Sequence, residues 1–339
     1  CAPDARGVLR FCLNDKPILL NGLLDQGYWP EGLYTPPSDA AVERELSEVK
    51  ALGYNLLRKH AKIEPQRWYY HCDKLGLVVW QDMVNGGSKY NLWFVTYLTN
   101  VLQPLMRRLP DKAALWGLLS RGSESSREEY RRELEDTVQA LRCHPCVGCW
   151  VPFNEGWGQY DAAGAVQAIR TLDDTRLVDE ASGWYDQGGG DVYSLHNYFY
   201  PLRVRPQTRA VALSEYGGIA WPMPGHEPPR RTYGYGTAKS REELTARYEK
   251  NAAGHGAAAA AKGAFGAGVH PADRRGGRGE RPVYLRPHRH QAGRQRRPFG
   301  ERRPCRGVCK SNKIKTTPGF STFRRKDVEK PGVLFLQSH

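Results

Sequence analysis

The stretch CVGCWVPFNEGWGQYD, residues 146–161, decides the fold prediction because an apolar run ends abruptly in an Asn-Glu pair. Its first half is typical of a strand buried on both faces, where an ionised Glu155 would be costly to desolvate. A glutamate at that position therefore indicates an open site at the end of the strand, where the carboxylate faces a ligand. The rest of the chain has to supply a partner for it.

Similar apolar strands alternate with amphipathic helical patterns up to about residue 250. The first helical pattern follows Ser38, a candidate N-cap. Repeated strand-helix units predict a parallel sheet, and seven of them favour an α/β fold of the (β/α)8 TIM barrel type, incomplete at about seven strands, over an open doubly wound sheet. The strands are predicted at residues 17–26, 54–60, 77–83, 146–155, 176–184, 190–198 and 210–218.

Polar or aromatic residues end most of these apolar runs. Barrel active sites are built at the carboxyl ends of the strands, so such residues are expected to gather at one end of the barrel. A doubly wound fold would instead carry a Gly-rich phosphate loop after its first strand, and LLDQGYWPEG is a poor match. The strand-end residues are Arg58, His60, Gln81, Asp82, Asn154, Glu155, Ser182, Trp184, His196, Tyr198 and Glu215.

Two glutamates, Glu155 and Glu215, end the fourth and seventh predicted strands. Hydrolysis of a glycosidic bond needs one carboxylic acid to protonate the leaving oxygen and one carboxylate to attack or stabilise the sugar cation. Two glutamates facing one cavity suffice for this chemistry, so no cofactor and no metal is expected. Either glutamate alone would more often be a solvated loop residue, but their pairing in a barrel-like alternation favours the catalytic interpretation.

Several long motifs, in this order, resemble the catalytic barrel of glycoside hydrolase family 2, which includes β-galactosidases, β-glucuronidases and β-mannosidases. The resemblance is to the members that carry FNEGWGQ, and it covers residues 11–250. The motifs are KPILLNG, NLLRKH, RWYYHCDKLGLVVWQDM, HPCVGCWVPFNEGWGQYD, DTRLVDEASGW, GDVYSLHNY and LSEYGG.

The resemblance implies a retaining double displacement, with Glu155 as general acid/base and Glu215 as nucleophile. It also implies that Asn154 hydrogen-bonds the sugar 2-hydroxyl and that Tyr198 orients the nucleophile. A guanidinium beside Glu215 would keep that carboxylate ionised, whereas a drier setting would raise the pKa of Glu155 so that it can donate a proton. Arg58 and His60 match the polar end of an early strand that contacts the sugar or the nucleophile.

Other residues near these motifs have two interpretations each. Trp157, Trp184 and Tyr216 either stack on the apolar face of a pyranose or pack in the core. His196 either binds a sugar hydroxyl or satisfies a backbone carbonyl. Asp82 either contacts the sugar or caps the following loop.

Three cysteines, Cys143, Cys146 and Cys149, have a spacing that would suit an iron-sulfur or zinc site. Positions three apart on an extended strand face opposite sides, so Cys146 and Cys149 are not expected to converge on one metal. The better interpretation is that they are small buried apolar residues.

The net charge of +14 would ordinarily indicate an acidic partner such as nucleic acid. Residues 251–339, however, contain 20 Lys and Arg against 5 Asp and Glu, and the residues before them contain 30 and 31. Only the tail is basic, and the body is nearly neutral. The charge of the body therefore gives no support to a nucleic-acid partner, and the family resemblance implies a carbohydrate substrate instead.

The tail from Ala252 onward is rich in Gly, Arg and Pro and has little periodicity, so one interpretation is a disordered basic tail. The other is a reading-frame error near Asn251. Codons for residues 269–287, read one nucleotide later, permit YTQLTDVEDEVNGLYTYDR, which resembles the family's segment at the eighth strand and beyond. The predicted domains are a barrel at 1–250 and a low-complexity tail at 251–339.

A barrel without its eighth strand would leave unpaired edges beside Glu215, so this chain is expected to be inactive although derived from a glycosidase. The leading function is a β-glycosidase, β-galactosidase-like as first guess, and the alternative is a noncatalytic carbohydrate-binding or structural remnant. The chain begins at Cys1 without Met, which suggests a fragment that lacks the family's N-terminal domains. No membrane span or signal peptide is legible, so no membrane partner is expected, and location and oligomeric state stay open.

Overall fold

The computed structural model describes residues 1–198 except 6, 30, 107 and 108, and residues 207–221, 234–262, 267–269 and 335–338. These residues fall within one compact unit, which comprises Cys1–Arg275 and Lys330–His339. The other unit, Gly276–Glu329, lies outside the described residues.

The strands of the described residues are short, and most barrel strands have four to eight residues or are split into two segments. They are β1 (Ala2–Pro3), β2 (Leu9–Arg10), β3 (Cys12–Leu13), β4 (Lys16–Pro17), β5 (Gly22–Asp25), β6 (Leu56–Lys59), β7 (Val78–Asp82), β8 (Val147–Val151), β9 (Phe153–Asn154), β10 (Leu177–Val178), β11 (Ala181–Ser182), β12 (Val192–Asn197), β13 (Ala210–Gly217), β14 (Ile219–Ala220), β15 (Gly236–Thr237), β16 (Ala267–Val269) and β17 (Phe335–Ser338).

The helices of the described residues lie mostly between successive barrel strands. They are α1 (Asp39–Ala51), α2 (Gln66–Leu75), α3 (Thr99–Val101), α4 (Gln103–Met106), α5 (Ala113–Trp116), α6 (Glu124–Leu141), α7 (Ala162–Leu172) and α8 (Arg241–Lys262), with a π-helical turn at Trp93–Leu98. The predicted N-cap is confirmed, because Ser38 Oγ accepts a hydrogen bond from the amide of Ala41 at 3.1 Å. None of the described helices has the length and apolar character needed to cross a membrane.

The central sheet is parallel, and its strand order is β10-β8-β7-β6-β5-β16-β17-β13-β12. All seven strands predicted from the sequence are present, the fourth as β8 and β9 and the fifth as β10 and β11. Helices α1, α2, α6 and α7 separate them along the chain. This is the strand-helix alternation of an α/β barrel, as predicted.

The sheet edge between the first and seventh barrel strands differs from the prediction, which left it without a regular strand. Two short segments lie there: β16 pairs with β5, and β17 pairs with β13 and β16. Ladder hydrogen bonds use backbone groups only, so three or four residues can occupy an open edge without the apolar alternation that strand prediction relies on. The predicted unpaired edges are therefore wrong, and the inference of inactivity loses that basis.

The barrel sheet is open at another place. In the described residues no backbone ladder joins β10 or β11 to β12. One backbone hydrogen bond, from the amide of Asp191 to the carbonyl of Val178 at 2.8 Å, crosses this seam. Side chains also bridge it, because Ser182 Oγ lies 3.4 Å from Ser194 Oγ and 3.0 Å from Nε2 of His196. The seam thus brings polar side chains of two strands into direct contact inside the barrel.

Helix α8 extends through Asn251 and through the alanine run at 257–261, and alanine has the highest helix propensity of all residues. The out-of-phase segment at 269–287 lies, apart from Val269, outside the described residues. The reading-frame interpretation, the disordered tail and the domain boundary at residue 250 therefore stay predictions.

Alternate residues of the strands pack on opposite faces of the sheet. Trp150 belongs to the outer core between sheet and helices, whereas Cys149 and Val151 belong to the inner cluster. Cys146 lies in the outer core, so Cys146 and Cys149 face opposite sides as predicted. Both are free thiols buried among apolar side chains, which supports the packing interpretation.

Candidate active site

A β-bulge between β12 and β13 turns two successive side chains of β13 to the inner face of the sheet. Leu195 pairs with Leu213, but His196 pairs with Glu215, so Ser214 is the extra residue. Ala212 is part of the inner apolar cluster, and Ser214 continues its alternation. Because of the bulge, Glu215 also faces inward, above the apolar layer.

Arg58 occupies the centre of this polar layer and is completely buried. Its guanidinium donates to Oδ1 and Oδ2 of Asp82 at 2.9 and 3.0 Å and to Oε1 of Glu215 at 2.9 Å. Nη2 also donates to Oδ1 of Asn154 at 2.8 Å. Burial lowers the pKa of Arg58, but the charges of Asp82 and Glu215 outweigh it, so the net pKa is raised. One cation therefore holds two carboxylates and an amide in place.

Asp82 bridges Arg58 and His60. Its Oδ2 lies 2.7 Å from Nδ1 of His60, in addition to the two bonds from the guanidinium. Burial raises the pKa of Asp82, but Arg58 and His60 outweigh it and the net pKa is lowered. Burial lowers the pKa of His60, but the bond to Asp82 outweighs it and the net pKa is raised. Both carboxylate oxygens of Asp82 are thus engaged by cationic side chains rather than by the following loop.

Glu215 is held on its second oxygen by Tyr198, whose hydroxyl donates to Oε2. The Glu215 side chain is only 5% exposed. The Tyr198 ring stacks on Tyr235 with centroids 3.7 Å apart, which fixes its position. Burial and then the charge of Glu215 raise the pKa of Tyr198, so the phenol keeps its proton and remains a donor. The predicted contact between Tyr198 and Glu215 is present.

Glu155 has a different environment. Its backbone adopts φ +51°, a left-handed conformation that is uncommon for residues other than glycine, and its amide donates to the carbonyl of Ser182 at 2.8 Å. Its Oε1 lies 2.7 Å from Nδ1 of His196. The side chain is 16% exposed. Burial raises the pKa of Glu155, against the opposing charges of His60 and Arg58, which is the predicted direction.

The two glutamates lie close together. One carboxylate oxygen of Glu155, one of Glu215 and one ring nitrogen of His196 all lie within 4.8 Å of one another. Nε2 of His196 is 3.5 Å from Oε1 of Glu215. Such a set also has the spacing of metal ligands, but the guanidinium of Arg58 already lies 2.9 Å from Glu215 and opposes a second cation there.

The three aromatic residues that the sequence singles out differ in exposure. Trp184 is 2% exposed, and its ring meets the His196 ring edge-on with centroids 5.7 Å apart. Tyr216 is fully buried. Trp157 is partly exposed and meets Tyr90 edge-on at 4.7 Å. Packing therefore accounts for Trp184 and Tyr216, and Trp157 retains surface for a sugar.

Sequence reasoning missed part of the polar layer. His196 contacts Glu155 on one nitrogen and Ser182 on the other, which neither predicted role describes. Ser194 and Ser214, together with Asp179, continue the hydrogen bonding below it. A usable signal is that Ser194 and His196 share one strand face, two residues apart.

The model of the family described as glycosyl hydrolases family 2, TIM barrel domain, matches residues 8–202, more than half of the chain. The chain therefore belongs to glycoside hydrolase family 2, and the predicted TIM-barrel class is confirmed. Relatives include a β-galactosidase from Klebsiella pneumoniae, 24% identical over 229 residues that cover 66% of this chain and 19% of the relative. A β-mannosidase B from Aspergillus clavatus is 26% identical over 167 residues, 48% of this chain and 16% of the relative.

Solved structures show the same fold. The crystal structure of a GH2 β-galacturonidase from Eisenbergiella tayi bound to galacturonate matches with a TM-score of 0.51 and 15% identity, covering 74% of this chain and 43% of that one. A β-glucuronidase from an uncultured Clostridium species matches with a TM-score of 0.50 and 16% identity, covering 71% of this chain and 42% of that one. The chain spans about a fifth of the length of the β-galactosidase that it matches.

Proposed function

We propose that this chain is the barrel of a retaining β-glycosidase, in which Glu155 is the general acid/base and Glu215 the nucleophile. The observation that carries the proposal is the carboxylate pair, with oxygens within 4.8 Å and unlike surroundings. Retaining glycosidases hold their carboxyl groups about 5–5.5 Å apart, whereas inverting ones need about 6.5–9.5 Å for a water molecule. The short separation supports retention.

In the first step Glu215 attacks the anomeric carbon while Glu155 protonates the departing oxygen. Tyr198 and Arg58 hold the two oxygens of Glu215, so its orientation is set before substrate arrives. The raised pKa of Glu155 keeps a proton available for the leaving group. In the second step Glu155 removes a proton from water, which releases the sugar from Glu215 with the original anomeric configuration.

Asn154 and Trp157 have positions suited to holding the sugar. Oδ1 of Asn154 accepts from Arg58, which leaves the amide NH2 group as the donor for the 2-hydroxyl. The partly exposed ring of Trp157 offers an apolar face. For the sugar itself, β-galactosides are our first choice, supported by the name of one relative.

The test is the turnover of aryl β-galactosides, β-glucuronides and β-mannosides by the purified chain, with NMR detection of the first anomer released. We expect the β anomer, and we expect Glu215→Gly to form an α-glycosyl azide when azide is added. Glu180→Gln is the matched control, because this buried glutamate accepts hydrogen bonds from the amides of Gly189 and Gly190 instead of facing the pair. An inverted first product would overturn retention, and no turnover on any sugar would favour the noncatalytic remnant.

A further inference from the structure

A line of hydrogen bonds leads from Glu155 down into the barrel. Nδ1 of His196 lies 2.7 Å from Oε1 of Glu155, and its Nε2 lies 3.0 Å from Oγ of Ser182. Ser182 Oγ is 3.0 Å from Ser214 Oγ, which is 2.6 Å from Ser194 Oγ. Apart from Glu155, every member is buried. The line thus runs through a region that bulk water does not reach.

The line ends at a second carboxyl group. Ser194 Oγ lies 2.6 Å from Oδ2 of Asp179, which is 1% exposed. Its Oδ1 has no hydrogen-bond partner among the described residues. Burial raises the pKa of Asp179 to about 7, with Asp82 and Asp186 acting in the same direction and Arg58 and the bond from Ser194 opposing. The carboxyl group of Asp179 therefore combines a pKa near neutrality with a position shielded from solvent.

Each serine hydroxyl carries one proton, so the line has two polarities. If Asp179 is ionised, Ser194 donates to it, and Ser182 donates to Ser194 across 3.4 Å. Ser214 is an acceptor in both of its serine contacts and donates to the carbonyl of Leu195, so it lies beside the line. Nε2–H of His196 then donates to Ser182, and Nδ1 accepts the acid proton of Glu155. If Asp179 is protonated, every bond reverses, and Nδ1–H of His196 donates to the carboxylate of Glu155.

We propose that Asp179 is a buried proton reservoir that exchanges one proton with Glu155 through Ser194, Ser182 and His196. In the exchange each hydroxyl and the imidazole gains one proton and loses one, so a single proton moves between the two carboxyl groups and no net charge is created. The line holds one proton: when Glu155 carries it as the acid, Asp179 is ionised, and when Asp179 carries it, Glu155 is a carboxylate that accepts Nδ1–H of His196. Asp179 is thus a positioning residue, and this role rests on the proposed function of Glu155. Nε2 of His196 also lies 3.5 Å from Oε1 of Glu215, and this contact competes with the hydrogen bond between Nε2 and Ser182.

The test compares pH profiles of kcat/KM for two variants. Asp179→Asn removes the reservoir, and Ser194→Ala cuts the line but leaves the charge of Asp179. Two linked groups hold their last proton more tightly than one, so both variants should move the alkaline limb to lower pH, by about one unit. Ser194→Thr keeps the hydroxyl and should restore the limb. If Asp179 acted only through its charge, Ser194→Ala would keep the wild-type limb, and the proposal would fail.

Two further measurements separate this proposal from its surroundings. Ser214→Ala leaves Ser182 and Ser194 in contact at 3.4 Å, so it should shift the limb less than Ser194→Ala does. If Ser194→Ala does not fold, Ser182→Ala is the second variant that cuts the line. Ser120→Ala, a buried serine outside the line, should not shift it. The infrared carbonyl stretch of protonated Asp179 should titrate near pH 7, with a midpoint that Glu155→Gln changes. If Glu155→Gln changes the midpoint of Asp179 but the protein hydrolyses no glycoside, only the proposed function is overturned. If the protein hydrolyses glycosides but Glu155→Gln leaves the midpoint of Asp179 unchanged, only the reservoir is overturned.

Discussion

Glu155 and Glu215 are the same residue type at the ends of two strands of one barrel, yet their surroundings are opposite. Glu215 is 5% exposed and receives hydrogen bonds from Arg58 and Tyr198. Glu155 is more exposed, at 16%, and its carboxylate contacts the ring of His196 and accepts a hydrogen bond from the side chain of Trp157, but burial raises its pKa. The more deeply buried carboxylate is the one that has a guanidinium as partner.

The difference teaches that the partner, more than the depth of burial, assigns the chemical role. Among the described residues, the guanidinium of Arg58 lies within hydrogen-bond distance of Glu215, whereas the corresponding contact of Glu155 is the imidazole of His196. Exchanging or removing partners should therefore have effects that differ between the two sides of the pair.

The largest effect is expected for Arg58→Ala. Removing this guanidinium leaves Asp82 and Glu215 buried without their shared cation, and breaking a buried ion pair costs about 3–5 kcal/mol. Chemical denaturation should show a loss of that size, and turnover should disappear because Glu215 loses its position. Arg58→Lys keeps the charge but cannot form the fork, so it should recover more stability than activity.

Arg10→Ala is the control for that prediction. Arg10 is also buried, but it bonds Asp4 at the amino-terminal end of the chain rather than the glutamate pair. It should lower stability and leave kcat close to that of the wild type. Equal activity losses in the two variants would show that Arg58 acts only through folding.

The next largest effect separates the two glutamates by leaving group. Glu155→Gln cannot donate a proton, so hydrolysis of glycosides with poor leaving groups should fall by about 10²–10⁴-fold. Activated aryl glycosides, which leave without protonation, should be cleaved in the first step at nearly the normal rate. Glu180→Gln should alter neither class. A uniform loss across all leaving groups would contradict the acid role of Glu155.

The sequence predicts much of this site because the residues at the ends of predicted strands converge whenever the strands form one parallel sheet. Arg58, Asp82, Asn154, His196 and Glu215 all lie in one hydrogen-bonded layer for that reason. The strand-helix alternation that predicts the sheet depends on apolar periodicity, which is strong over the first 220 residues.

Other features depend on contacts that periodicity does not reveal. The bulge that turns both Ser214 and Glu215 inward arises from pairing between two strands, and the positive φ of Glu155 arises from the turn that follows β9. Asp179 lies beside Glu180 in the link between β10 and β11, and Ser194 lies in the middle of β12, so the sequence alone gives no sign that the two side chains meet. The strands β16 and β17 are not predicted from the sequence, because strand pairing uses backbone groups and does not require an apolar alternation.

A smaller effect is expected for Tyr198→Phe, which removes one of the two bonds that hold Glu215. A hydrogen bond to a charged group contributes about 1.5–3 kcal/mol, so kcat should fall roughly 10- to 100-fold while KM changes little. Tyr54→Phe is the control, since that hydroxyl lies 3.1 Å from the hydroxyl of Tyr248, away from the glutamates. An unchanged kcat in Tyr198→Phe would mean that Arg58 alone orients the nucleophile.

The smallest effect is on the pH dependence of stability, which has opposite signs for Glu155 and for Asp82, the carboxylate that shares Arg58 with Glu215. The folded-state pKa of Glu155 is raised, so the folded protein binds more protons there than the unfolded chain, and stability declines as pH rises from the unfolded value toward the folded one. Glutamine has no charge to desolvate and keeps a donor for His196. Glu155→Gln should therefore match the wild type near pH 4 and exceed its Tm at pH 8, where each kcal/mol corresponds to about 2–4 °C in a domain of 150–250 residues.

The folded-state pKa of Asp82 is lowered, so the stability that this carboxylate contributes is present above its unfolded pKa and is lost as pH falls through its folded pKa. Asp82→Asn should accordingly be less stable than the wild type at pH 8, with a deficit that shrinks in acid. If Glu155→Gln had a lower Tm than the wild type at pH 8, the contact with His196 would stabilise the Glu155 carboxylate by more than desolvation destabilises it.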